Sequence, residues 1–245
     1  RIIEGIKVAD SGKGVLMVIK NYSGDIMNFQ MAAELAEMEG IQADYVVVKD
    51  DVAVPDSTFS TGRRGIAGTV FVHKIAGAAA EAGKSLAEVK AAAQKVIDNV
   101  RSMGMAMSSC ILPGVGKPGF QLAENEMELG MGIHGESGIN REAMCSAKDV
   151  ARKLVDPILA DLDYSGSEVA VMVNGLGGTP LMELYIMYNE VEALLSARNI
   201  RIYRCFVGSY MTSLEMSGCS VTMLRLDDEL KPLLDAPANT PAFKV

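Results

Sequence analysis

The first half of the chain combines a strand pattern with a helical one. The apolar run 15–19 is too short for a helix and suits a strand buried on both faces. A helix is predicted over 25–39, ending at Gly40, because apolar residues recur there at helical spacing: Met27, Met31, Leu35 and Met38. A second strand follows at 45–48. The three elements predict a right-handed parallel crossover unit.

Two further helices are predicted before the pattern changes. A polar loop at 57–65 contains the sequence GRRG and precedes a surface helix whose stripe is Ile66, Val70, His73 and Gly77. Ser85 and Glu88 have the spacing of a capping box, which predicts a helix running to Gly104 with a stripe of Val89, Ala93, Val96, Val100 and Met103.

The remainder of the chain predicts a second sheet. Strands are expected at 105–112, 126–134, 169–173, 200–207 and 221–226, and helices at 147–162 and after Thr179-Pro180. We therefore predict an α/β protein with two mixed-sheet domains. Residues 1–101 form a Rossmann-like first domain with crossover units, 102–236 a smaller α+β-type domain, and 237–245 a tail that packs back on the first domain.

Composition narrows the function classes. The chain has 245 residues, with 23 Lys+Arg against 31 Asp+Glu and a net charge of −8, so it repels a nucleic acid backbone. Its apolar runs fall short of the roughly 18 residues of a membrane helix. Four cysteines without CxxC spacing, of which Cys110 and Cys205 lie in apolar runs as core filler, indicate a reduced, cytoplasmic protein. The first residue is Arg1 rather than Met, so we expect a fragment.

His134 is the main candidate for chemistry. It closes a stretch, 126–134, that alternates with a period of two, so Gly130, Gly132 and His134 share one face and two missing side chains leave space beside an imidazole. A neutral imidazole adds to a ketone carbonyl to give a hemiaminal. The alternative is a core histidine bonded to a backbone carbonyl, which the pattern alone leaves equally open. A metal site is disfavoured because the chain has only two histidines.

Asp25 and Lys20 are the second candidates. Asp25 follows the first strand and a tight turn, at the carboxyl end of the strand where open α/β sheets bind ligands. Ser23 or Asp25 could instead serve only as a helix cap. Lys20 ends an apolar strand, where a cation usually answers an anion, a ligand hydroxyl or a carboxylate.

Three further features are discounted. The glycine-rich turn 174–180 lacks the GKS/T ending of a P-loop and is interpreted as a packing turn. Asp50 and Asp51 follow a strand and suggest magnesium, but paired acids in loops are usually solvated. His73 is interpreted as a structural or surface residue.

Six motifs, in order and spacing, resemble the DhaK-type subunit of bacterial dihydroxyacetone kinases along essentially the whole chain. They are IKNYSGD at 19–25, DDVAV at 50–54, GRRG at 62–65, GKP at 116–118, GIHGE at 132–136 and NGLG at 174–177.

The resemblance implies that His134 binds dihydroxyacetone as a hemiaminal and that Lys20 and Asp25 contact it, with Asp25 handling the hydroxyl proton. It implies no cofactor in this chain, since nucleotide and magnesium belong to a helical partner subunit fed by a phosphotransferase relay, and it implies a homodimer. The family's N-terminal region, with a glycine and a second active-site histidine, is expected to be missing here.

Two rival functions follow from the same features. Some relatives bind dihydroxyacetone only to activate a transcription factor, and such a coactivator would share His134 without catalysis. A nucleotide-binding oxidoreductase would use Gly175 to Gly178 as its phosphate loop and bind a nicotinamide cofactor.

Overall fold

The computed structural model describes residues 1–54, 62–135 and 138–245. Part of the predicted loop 57–65, and Glu136 of the motif 132–136, lie outside the described residues. The elements are α1 (Ile2–Ala9), β1 (Val15–Lys20), α2 (Ser23–Met38), β2 (Ala43–Val48), α3 (Thr69–Glu81), α4 (Leu86–Asn99), β3 (Val100–Ala106), β4 (Glu126–Leu129), β5 (Asn140–Ala143), α5 (Ala147–Asp161), β6 (Glu168–Gly175), α6 (Leu181–Ser196), β7 (Arg201–Gly208), β8 (Gly218–Leu226) and α7 (Leu230–Asp235).

A parallel two-stranded sheet forms the first half. β1 and β2 pair in register from Val15 opposite Ala43 to Lys20 opposite Val48, with α2 as the connection, so the predicted parallel crossover is confirmed. Its right-handedness stays a prediction. α1 and α2 cover one face through a cluster of Ile6, Met17, Ile19, Ala32 and Ala36. The Rossmann-like assignment stays a prediction.

The second sheet has six strands in the order β5-β4-β3-β8-β6-β7. Neighbouring strands in this sheet are antiparallel, except β6 and β7, which are parallel. This mixed sheet is the larger of the two described, whereas we expected a smaller second domain. Both faces of β6 are covered, because Val169, Val171 and Val173 join the cluster of α5 and α6 while Ala170 and Met172 join that of α3 and α4.

α3 and α4 lie between the two sheets and join them. Their apolar cluster includes Val46 and Val48 of β2 as well as Leu224 of β8. The prediction of α3 as a surface helix is wrong, because Phe71, Val72 and Ile75 are fully buried there. The expected boundary between residues 101 and 102 falls inside β3, and the division into two domains stays a prediction.

Strand pairing determines where several elements end, and the ends predicted from helical or alternating spacing were wrong for them. The helix predicted to Gly104 ends at Asn99, because β3 pairs with β8 from Val100 to Ala106. The strand expected over 105–112 therefore ends at Ala106, and the one expected over 126–134 ends at Leu129. The capping box at Ser85 and Glu88 is confirmed.

The chain end packs against the core. The ring of Phe243 lies 5.3 Å from that of Phe206 and 5.7 Å from that of Tyr210, centroid to centroid. Of the cysteines, Cys110 is buried as expected, but Cys205 is exposed on β7 rather than a core filler. In the described part of the chain, no helix has the length and apolar character to cross a membrane.

Candidate functional site

The turn from Lys20 to Asp25 is held rigidly at the carboxyl end of β1. Asn21 donates from its backbone N–H to the carbonyl of Val48 (3.0 Å) and from its side-chain amide to the carbonyl of Arg63 (2.7 Å). The 62–65 segment approaches closely because residue 65 is glycine: a Cβ there would lie 2.4 Å from the Val48 oxygen and 2.9 Å from the Lys20 Cα.

Asp25 lies exposed in the first turn of α2. The N-cap position is occupied by Tyr22, whose side chain makes no capping hydrogen bond. Neither Ser23 nor Asp25 is therefore the N-cap residue. Lys20 is half-buried. Partial burial, and next the positive charge of Lys20, lower the pKa of His73. His73 thus has a charged neighbour that its helical stripe did not indicate.

His134 lies exposed in a turn beyond β4, not on a strand face. The glycine-cleared hollow predicted from alternation is wrong at Gly130. That residue has φ +74°, and a Cβ there would lie 2.7 Å from the Ala53 side chain, so it permits close packing instead of leaving space. Gly135, with φ +77°, packs against the Cys110 thiol.

The loop that carries His134 is closed at its base by a buried carboxylate. Glu128, 3% exposed, accepts from the backbone N–H of Gly138 (2.7 Å) and from Arg141 Nε (3.2 Å). The N–H of Ile139 donates to the carbonyl of Leu129 (2.8 Å). The two ends of the loop are therefore tied together next to β4.

A buried ion pair connects this loop to the first half. Arg64 donates from Nε to Asp51 Oδ2 (2.9 Å) and from Nη2 to the carbonyl of Gly130 (2.6 Å). Asp51 also accepts from the N–H of Ala53 (2.9 Å). Burial raises the pKa of Asp51 to about 6, and Arg64 and the Ala53 N–H oppose that shift.

Asp50 and Asp51 are structural, which corrects the expectation that they are solvated. Asp50 is 1% exposed and accepts from the N–H groups of Ile66 (2.8 Å) and Gly68 (2.7 Å), ahead of α3. Burial raises the pKa of Asp50, opposed by these hydrogen bonds and one from Ser102. Neither carboxylate is left open to a metal ion.

The glycine-rich turn after β6 brings backbones together. A Cβ at Gly177 would lie 1.7 Å from the Leu214 carbonyl, and one at Gly178 would lie 2.4 Å from that of Glu215. The side chain of Asn174 holds the N–H groups of Tyr210 and Met211. This geometry supports the interpretation as a packing turn.

An aromatic contact joins His134 to the turn that carries Lys20 and Asp25. The rings of Tyr22 and His134 meet edge to face, with centroids 4.6 Å apart and planes at 74°. Tyr22 lies within the Lys20–Asp25 turn, so the imidazole from the second half reaches the turn from the first. Over the three described ranges, no group of three or more His, Cys, Asp and Glu is arranged to hold a metal ion.

Sequence reasoning missed three residues of this site. Arg64 was assigned to a polar loop, although its position between two glycines in the GRRG motif hinted at close packing. Tyr22 stood between the two candidates Lys20 and Asp25 and was overlooked. Glu128 gave no signal, because its partner Gly138 lies beyond the loop.

Comparisons with known proteins identify the family of the chain. The Dak1 domain profile matches residues 1–242. The dihydroxyacetone-binding subunit DhaK of a PTS-dependent dihydroxyacetone kinase from Listeria innocua is 52% identical over 99% of this chain and 74% of its own length.

Two solved structures share the fold. The dihydroxyacetone kinase operon co-activator DhaQ superposes with a TM-score of 0.90 at 36% identity, covering 96% of this chain and 74% of that one. The dihydroxyacetone kinase from C. freundii in complex with AMP-PNP and Mg²⁺ gives a TM-score of 0.88 at 36% identity, covering 96% of this chain and 43% of that one. The chain belongs to the Dak1 domain family.

Proposed function

We propose that this chain is the dihydroxyacetone-binding subunit of a dihydroxyacetone kinase, with His134 as the residue that holds the ketose. The observation that carries the proposal is the contact of Tyr22 with His134, which brings an exposed imidazole to the Lys20–Asp25 turn. Family membership supports the substrate class, because the matched relative from Listeria innocua is named for binding dihydroxyacetone.

The proposed first step is a covalent addition. A ring nitrogen of His134 donates its lone pair to the ketone carbon, and the carbonyl π electrons move to oxygen. The proton lost from the imidazole ends on that oxygen, so a neutral hemiaminal forms. The bond selects carbonyl compounds over polyols and holds the triose in one place for transfer.

The second step is phosphoryl transfer. A terminal hydroxyl oxygen of the bound triose attacks the donor phosphorus, the bond from phosphorus to the donor's leaving group breaks, and the hydroxyl proton passes to Asp25. Lys20 contacts the substrate. The donor, a nucleotide with magnesium, would sit on a helical partner subunit that is reloaded by the phosphotransferase relay, and we propose that this chain acts as a homodimer.

Intact-protein mass spectrometry tests the adduct. We expect the wild-type mass to increase by one dihydroxyacetone and by nothing with glycerol, which has no carbonyl. His134→Ala should abolish the increase, whereas His73→Ala, which changes the chain's other histidine, should keep it. Equal labelling by glycerol, or an adduct that survives in His134→Ala, would contradict the proposal.

A non-catalytic coactivator is the second candidate, favoured by the TM-score of 0.90 to the co-activator DhaQ. Both candidates predict the adduct, so turnover separates them. Formation of dihydroxyacetone phosphate after addition of a nucleotide-bearing kinase subunit supports the kinase. Intact binding without turnover supports the coactivator.

A further inference from the structure

We propose that Tyr22 is a positioning residue: its ring holds the plane of the His134 imidazole in the orientation that adds to the ketose. This inference rests on the proposed function and names a residue to which neither the sequence motifs nor the relatives' names give a role. It starts from the 4.6 Å edge-to-face contact of the two rings.

Tyr22 is itself fixed in place. It is 7% exposed, its backbone N–H donates to the carbonyl of Lys20 (2.8 Å), and its carbonyl accepts from the N–H of Ile26 (2.9 Å). The preceding residue, Asn21, is clamped to Val48 and Arg63. A ring attached to such a backbone is a firm support for a neighbour.

His134 contacts a residue from outside its own loop. It lies exposed in a turn, and Gly135 follows it with φ +77°, a conformation that glycine adopts without strain. The Tyr22 ring, meeting the imidazole at 74°, restricts rotation of the imidazole plane.

Orientation matters for the chemistry because the nucleophilic lone pair of imidazole lies in the plane of the ring. The plane must point at the carbonyl carbon for the bond to form, and a freely rotating ring spends less time in that position. We expect loss of the contact to weaken adduct formation by about 3- to 10-fold, the range that corresponds to one aromatic edge contact.

Two variants separate the ring from its hydroxyl group, and a third serves as a control. Tyr22→Leu removes the ring, Tyr22→Phe keeps it, and Tyr185→Leu removes an exposed tyrosine on α6 as a matched control. Adduct fraction is measured by mass spectrometry against dihydroxyacetone concentration. Histidine-labelled NMR gives a second measurement, since the chain has only two histidines.

We expect Tyr22→Leu to weaken the adduct and to shift the ring signals of His134 while leaving those of His73 in place. Tyr22→Phe and Tyr185→Leu should behave as the wild type. Wild-type adduct formation and unshifted His134 signals in Tyr22→Leu would overturn the proposal. So would a Tyr22→Phe as weak as Tyr22→Leu, because the hydroxyl would then carry the effect.

If Tyr22→Leu does not fold, the proposal is tested on the wild-type chain. A nuclear Overhauser effect between the ring protons of Tyr22 and His134 is expected, and its absence would overturn the proposal. A wild-type chain that forms no adduct would instead contradict the proposed function, and the same Overhauser effect would still show whether Tyr22 orients the imidazole.

Discussion

Arg64 is the side chain that links the two halves of the site. Its guanidinium, 2% exposed, contacts the carboxylate of Asp51 and the carbonyl of Gly130, at the start of the segment leading to His134. An arginine suits this place because its fork of donors satisfies two acceptors at once. The cost of burying both charges is offset only while each has its partner.

Replacing Arg64 by Met should therefore destabilise the fold by roughly 3–5 kcal/mol, because the Asp51 charge is left buried and unpaired. Urea unfolding measures the change. Arg198→Met is the matched control, since the Arg198–Asp156 pair is exposed and should contribute no more than about 1 kcal/mol. Equal losses in the two variants would contradict the role given to Arg64.

Lys20, Asp25 and His134 could be selected from the sequence because each has a local signal. Lys20 and Asp25 flank the end of an apolar strand, and His134 follows two spaced glycines. Burial of Arg64 and Asp51 was not predicted, since it depends on partners distant in the chain. Their charges suggested solvent, and the structure places them in the core.

The same contrast holds at the scale of elements. α4 was predicted from a cap and a stripe in its own residues, and α5 was also predicted from its own segment. The ends of β3 and β4 are set by pairing with other strands. Residue spacing within one segment does not predict that pairing. Helical spacing also failed to identify the buried face of α2, because Met27, Met31 and Met38, which have that spacing, are exposed.

The element that carries His134 is the loop between β4 and β5, and Gly138 lets it close. A Cβ at residue 138 would lie 1.9 Å from the Leu129 carbonyl oxygen. Gly138→Ala should therefore open the base of the loop, costing roughly 1–3 kcal/mol as overpacking does, and lower the adduct fraction.

Gly77→Ala provides the control for that variant, because a Cβ at this helical position meets nothing within 4 Å. Gly77→Ala should stay close to the wild type in both urea unfolding and adduct mass spectrometry. If Gly138→Ala formed the adduct as the wild type does, the loop closure would have no part in placing His134.

At the scale of the whole molecule, the candidate site combines residues from the two halves of the chain. Lys20 ends β1 of the two-stranded sheet and Asp25 follows it. His134 follows β4 of the six-stranded sheet, and α3 and α4 pack against both sheets. The crossover unit was predictable as a local feature. The joining of the sheets was not, because it depends on one apolar cluster that includes residues as remote in the chain as Val48 and Leu224.

The most direct test of the account is the bond between His134 and the ketose. Nuclear magnetic resonance of the chain with ¹⁵N-labelled histidine and dihydroxyacetone labelled with ¹³C at the ketone carbon should show that carbon as tetrahedral and coupled through one bond to a ring nitrogen of His134. A labelled carbon that never couples to His134 nitrogen, at ketose concentrations that saturate binding, would contradict the central claim.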